Sequence, residues 1–183
     1  MTLDLRDAER ETAITGLFEA QYGALLRLAV LLGAGSDAED VVSEAFCELH
    51  RRWYGLRDAQ AGLAYLRRVV CNQSRMRIRH QQVVRRHDGA VRPDPAALAA
   101  SAESEVVLRE DQRHVVTALA ALPDRQRQAL VLRYWLDLKE SEVAEAMGVS
   151  CGTVKVHTFR GMATLTRLLE ERMAEGRILE GWR

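Results

Sequence analysis

The sequence predicts an all-α protein made of two small helical domains joined by a flexible linker. Three observations predict it. No segment alternates convincingly between apolar and polar residues with period two, as a half-buried strand would. Apolar residues recur instead at three- and four-residue spacing in several separate stretches. Between two groups of such stretches lies Arg92-Pro93-Asp94-Pro95, which cannot form a helix interior. Composition agrees. Ala, Leu, Val, Arg and Glu dominate, and aromatic residues make up only 5% of the 183 residues. With 48% apolar and 28% charged residues, the chain has the content of a globular protein, not of a disordered one.

The spacing of Leu17, Phe18, Leu25, Leu28 and Leu32 predicts a first helix from about Ala13. Gly33 and Gly35 end it, and Ser36 or Asp37 can cap the next. The second helix carries Val42, Ala45, Phe46, Leu49 and Trp53 on one stripe and acids on the other. Residues Tyr54 to Gly62 are expected to be a loop. A third helix begins near Leu63, with Leu66 and Val70 inward, and continues into an arginine-rich segment. This first domain spans 13–86. Residues 87–104 are small, polar and Ala-rich, and are expected to be a linker. The second domain spans 105–172. Its first stripe is Val115, Val116, Leu119 and Leu122, and Pro123 breaks it. Asp124 can cap a helix with Leu130, Val131 and Tyr134. A short helix from about Glu140 to Met147 follows, then a turn at Gly148. Ser150 then caps a long helix through Val154, Phe159, Leu165 and Leu169. Residues 173–183 are left as a tail.

The chain is formally neutral, with 26 basic and 26 acidic residues, but its charge is segregated. Asp37, Glu39, Asp40, Glu44 and Glu48 lie in a stretch from Ser36 to His50 that contains no Lys or Arg. From Arg67 to Arg92 there are eight arginines and one acid, Asp88. Adjacent runs of opposite sign suggest two different partners, although a charge run also serves as a plain solvated face. Three widely spaced cysteines, Cys47, Cys71 and Cys151, fit reduced thiols in a cytoplasm. Cys47 is expected to be a small core residue. Residues Met1 to Glu11 are charged and do not resemble a leader, and the longest apolar stretch, near Leu28 to Leu32, is too short to span a bilayer. The chain is therefore expected to be cytoplasmic, with no membrane contact.

Residues Glu142 to Ser150, followed by Gly152-Thr153-Val154-Lys155, have the grammar of a helix-turn-helix. Small Ala144 lets two helices cross closely, Gly148 supplies a left-handed turn, and Val149 fills the corner. The next helix can then enter a major groove. Cys151, Lys155, Val156, His157, Phe159 and Arg160 are its candidate reading residues. Lys155 and Arg160 suit phosphates or guanine edges.

Taken with the first domain, these residues resemble the extracytoplasmic-function sigma factors of bacterial RNA polymerase, with features closest to actinobacterial members. The resemblance covers about Phe18 to Leu169. It rests on Asp37-Ala38-Glu39-Asp40-Val41-Val42-Ser43-Glu44-Ala45-Phe46, Leu66-Arg67-Arg68-Val69-Val70-Cys71-Asn72, Leu122-Pro123-Asp124-Arg125-Gln126-Arg127 and Gly152-Thr153-Val154-Lys155. The resemblance implies that Asp37, Glu39, Asp40 and Glu44 bind core RNA polymerase at the clamp helices of β′. It also implies that the second domain sits on the β flap, and that promoter DNA is the other partner. For the minus-ten element it implies Arg67, Arg68, Asn72, Arg75, Arg77 and Arg79, with the 54–62 loop capturing a flipped base and Asn72 lining its pocket. Only Trp53, Tyr54 and Tyr65 offer rings for stacking nearby. For the minus-thirty-five element it implies the Lys155 set.

An anti-sigma factor that wedges between the two domains is common in the family, and the linker would permit one. The sequence departs from the family at Lys139, where a Ser or Thr cap is usual, and the helix is expected to start later or to be capped by Ser141. It departs again at Val156-His157, which stand where Ser-Arg is common. Gly152 to His157 is also similar to LuxR-type helix-turn-helix regulators, but these usually carry an upstream receiver domain with strands. No Gly-rich phosphate loop, nucleophile elbow or zinc-ligand spacing is present, so no enzyme, metal or cofactor is expected.

Overall fold

The computed structural model describes residues 5–87 and 110–180. Among them are seven α-helices: α1 Leu5–Leu31, α2 Ala38–Arg52, α3 Ala59–His87, α4 Glu110–Ala120, α5 Asp124–Leu130, α6 Glu140–Met147 and α7 Cys151–Glu180. The expected linker falls almost wholly on residues 88–104, outside the described residues, as does the expected start of the second domain at 105.

The first three helices form one body. Leu25, Leu28, Ala29 and Leu32 of α1 and its end meet Val41, Val42, Ala45 and Leu49 of α2, and Leu66 and Val70 of α3. Leu28, Leu49 and Leu66 have no exposure at all, and truncating such a residue costs about 2–5 kcal/mol. By length and hydropathy Asp7–Leu31 could cross a membrane, a property hidden when only continuous apolar runs are counted. Its Leu25, Leu26, Leu28 and Leu31 are instead buried in the core, while most of the span is not buried. Phe18, on the apolar stripe by its spacing, is partly exposed and packs on Tyr22 and edge-on against Phe46 at the rim.

Several helix ends differ from expectation, each for a local reason. α3 starts at Ala59 because the Asp58 carboxylate accepts the Ala61 N–H at 2.8 Å, so the loop after Tyr54 is shorter than 54–62. Asp37 precedes α2 without capping it and turns to Arg77. Asp124 does not cap α5 either. The Pro123 carbonyl accepts the Gln126 and Arg127 N–H groups, and the Asp124 carboxylate pairs with Arg127 at 3.1 Å. α6 begins directly after Lys139, without Ser141, because the Glu142 carboxylate reaches back to the Lys139 N–H at 2.8 Å. α5 passes into a π turn over Val131–Trp135 that leaves Tyr134, expected on the same helix as Leu130 and Val131, and Trp135 exposed. Val115 is also exposed. α7 runs unbroken to Glu180, so residues 173–180 extend the helix and do not form a separate tail.

The two helical groups pack on each other. Their buried residues form one connected core, α3 lies against α6, and α1 meets α4. Gln128 of α5, 4% exposed, donates from Nε2 to the Cys71 carbonyl of α3 at 3.0 Å. The buried Arg127 guanidinium lies over Gly33, whose φ of +95° and lack of a side chain both suit the approach. Cys71 is the thiol inside the core. Cys47, expected there, is exposed.

Candidate nucleic-acid interface

The helix-turn-helix is α6, the 148–150 turn and the start of α7. Gly148 has φ +63° and ψ +43°, the left-handed conformation that a side chain resists. Ser150 Oγ accepts the Thr153 N–H at 3.2 Å and so starts α7. Val154 is buried, and Gly161 lies so close to α5 that an added Cβ would meet Gln126 and Leu130 at 3.2 Å. These two positions hold one side of α7 against the body. At 100° per residue, Val156, Phe159 and Arg160 fall on the opposite side and are exposed. Lys155 is exposed and pairs with Glu140 at 3.6 Å. His157 is half-buried. Burial first, then Arg125 and Arg160, push its pKa below the usual imidazole value, so it sits apart from the outward set.

On α3 the expected minus-ten residues divide. Arg68, Asn72, Arg75 and Arg79 share one face by their spacing. Arg75 and Arg79 lie near Arg125 of α5, and with burial they lower the Arg125 pKa. Arg67 sits at the junction with α6, where burial lowers its pKa and Glu142 acts in the opposite direction. Arg77 lies on the other side. Its guanidinium reaches Asp37 at 3.4 Å, Glu44 at 3.6 Å and Asp40 at 4.0 Å. Sequence spacing missed this clasp because Asp40 and Glu44 of α2, Asp37 just before it and an arginine of α3 meet only in the fold. Glu39, the fourth expected acid, is exposed.

The residues around the 54–62 segment are tied into the body. Tyr54 bonds Asp7 and Arg10, and Trp53 packs against the core. Tyr65 donates its hydroxyl to Glu48 at 3.3 Å, and Gln73 donates to the same carboxylate at 3.3 Å. Between this segment and α6 lies a cleft of about 440 Å³, lined by Arg57, Asp58, Gln60, Arg67, Glu142 and Glu145 among others.

Two family matches fall on these two bodies. Residues 17–83 match the family described as Sigma-70 region 2, and residues 112–165 match Sigma-70, region 4. An RNA polymerase sigma-E factor of Streptomyces avermitilis is 34% identical over 160 residues, covering 86% of this chain and 85% of that protein. The chain is an extracytoplasmic-function sigma factor of the sigma-70 family. As such it directs RNA polymerase to promoters, and the region 2 match sets aside the LuxR-type reading. An ECF RNA polymerase sigma factor, SigM of Mycobacterium tuberculosis, is 32% identical over 86% of this chain and 77% of its own length. The solved sigma factor RpoE of Bartonella quintana, in complex with the anti-sigma factor NepR, shares the fold. Its TM-score is 0.67 at 21% identity, covering 85% of this chain and 96% of that one. In this sigma factor, region 2 is therefore α1–α3, and region 4 contains the helix-turn-helix.

Proposed function

We propose that the sigma factor binds core polymerase and reads its promoter through separate surfaces. The exposed carboxylates Glu39, Asp40 and Glu44, with Asp37, engage basic residues on the β′ clamp helices of core polymerase, and region 4 rests on the β flap. Arg68, Asn72, Arg75 and Arg79, with Arg67 at their edge, take the minus-ten strand. The arginines supply affinity through phosphates, and the Asn72 amide can both donate to and accept from a base edge. Arg77 stands apart from this set and partly neutralises the acidic cluster it clasps. Lys155, Val156, Phe159 and Arg160 meet the minus-thirty-five element, with half-buried His157 behind them. The protein carries out no reaction of its own and works in the cytoplasm. An anti-sigma factor would act by holding regions 2 and 4 in a fixed relation.

One observation carries this reading: the outward side of α7 is fixed by Val154 and Gly161 on its inner side, downstream of a left-handed Gly148. Run-off transcription with core polymerase, followed by start-site mapping, tests it. Lys155→Ala with Arg160→Ala should weaken upstream-element selection, and Asp40→Ala should weaken core binding. Unchanged promoter choice in the first pair would show that α7 is not the reading helix.

A further inference from the structure

The outward face of α7 is apolar where a reading helix would be expected to carry hydrogen-bonding groups. Val156 is 47% exposed and Phe159 78% exposed, the latter among the most exposed large apolar side chains of the described residues. They are three residues apart, so they lie side by side on one face, and Met162 (38% exposed) continues at its flank. Their surroundings are basic. From Cys151 to Leu169 the helix carries no Asp or Glu, and its charged residues are Lys155, Arg160 and Arg167. A small apolar pair framed by cations, with no acid on its own stretch of helix and Glu140 of α6 already paired with Lys155, complements a polyanion that displays an apolar group.

In a DNA major groove only one base supplies such a group, the 5-methyl of thymine. Guanine, adenine and cytosine offer donors and acceptors that neither Val156 nor Phe159 can satisfy. Covering those base edges with apolar groups would leave them without water or partner, at a cost in binding free energy. Burying the two side chains against methyl groups removes apolar surface from water on both partners.

We infer that Val156 and Phe159 form a thymine-methyl reading pair, so that the upstream element of this sigma factor is specified in part by thymines facing that pair, on either strand. Lys155 and Arg160 flank the pair and hold the adjacent phosphates or a neighbouring guanine. This inference rests on the assignment of α7 to the minus-thirty-five element.

The test uses the reconstituted holoenzyme and a promoter library randomised over the upstream element. Selection should enrich thymine at one or two adjacent positions. Each enriched thymine is then replaced by deoxyuridine, which deletes only the methyl group. Loss of one methyl contact should weaken binding about fourfold. Val156→Ser, at an exposed position that should leave thermal stability unchanged, should bring the thymine-to-deoxyuridine ratio toward one. A holoenzyme that selects an upstream element yet binds thymine and deoxyuridine alike overturns the methyl reading alone. Retention of the full thymine preference by both Val156→Ser and Phe159→Ser does the same. A holoenzyme that selects no upstream element overturns this inference together with the assignment of α7 on which it rests.

Discussion

The contact between region 2 and region 4 can be weighed through one thiol. Cys71 is buried beside Arg125 of α5, and burial pushes its pKa up to about 12. A disulfide reagent needs the thiolate, so Cys71 reacts only when the two regions part and its pKa returns to the ordinary range. Cys47 and Cys151 are exposed, and replacing both with Ser leaves Cys71 as the single reporter. The perturbation is Gln128→Ala. Gln128 Nε2 donates across the boundary to the Cys71 carbonyl at 3.0 Å. That carbonyl lies within α3 and keeps its own helix bond, so the substitution strands no buried acceptor. Across the boundary the loss is then the net value of one hydrogen bond, about 1 kcal/mol, because the other Gln128 bond, from Arg125 Nη1 at 3.4 Å, lies within α5.

At about 1.4 kcal/mol per tenfold, that raises the opening equilibrium roughly fivefold, and the labelling rate rises by the same factor when closing outpaces labelling. The assay is the rate of Cys71 modification with and without Gln128→Ala, read alongside thermal unfolding. At low denaturant the rate should depend only weakly on denaturant, since parting two bodies exposes less surface than unfolding either. Cys71 labelling as fast as an exposed thiol would refute the closed arrangement. So would a rate unmoved by Gln128→Ala.

The other expectations follow from single contacts. Gly148→Ala should cost about 1 kcal/mol, or about 2–4 °C in melting temperature, purely from its left-handed backbone, because the added Cβ meets open space. Gly33→Ala should cost more and speed Cys71 labelling, since its Cβ would also meet the Arg127 guanidinium at 3.0 Å. His157 titrates lower in the folded state than the ordinary 6.5. Between the two values the unfolded chain binds more protons, so stability falls as pH drops through that window, and His157→Gln should flatten the slope of a melting-temperature profile there. Arg77→Ala should change stability by less than about 1 kcal/mol, as its partners lie at 3.4 Å or more and are partly exposed. By freeing the acids it should tighten core-polymerase binding in a low-salt titration. Added salt should slow Cys71 labelling, because it screens the repulsion of Arg125 by Arg75 and Arg79.

Features set by neighbours in sequence were legible in the sequence. The Glu140–Met147 helix, the Gly148 turn and the Ser150 cap all follow from residues within a few positions, and each stands where the pattern puts it. Ambiguity arose where one residue type serves two purposes. Asp37 and Asp124 are good caps by type, but each is drawn to an arginine, while Asp58, less conspicuous, does the capping. Charge does not break a helix, so the polar sequence beyond Arg172 gave no stop signal and α7 continues. Cys47 and Cys71 are alike by type, and only the packing of α3 buries one of them. Least legible was the meeting of the two regions. Gly33, Cys71, Arg127 and Gln128 are each ordinary residues, and their relation exists only across long sequence separations.

The two faces of α3 show why that contact and the proposed DNA contact belong together. On one side Arg77 pairs with Asp37, Asp40 and Glu44, so its charge is balanced within region 2. On the other, Arg75 is brought close to Arg125, a like charge, and its Nε is buried with no hydrogen bond among the described residues. A surface fitted only to region 4 would not place cation against cation or leave a buried donor unpaired, since each is costly. An anion that can satisfy several guanidinium groups in a row would relieve the mismatch, and the proposed nucleic-acid strand has that chemistry. On the proposed reading, region 4 covers Arg75 with an imperfect substitute for that strand, while Arg68 and Arg79 stay exposed. The buried apolar residues and the Gln128 bond hold the cover on, and the like charges beneath it favour its release.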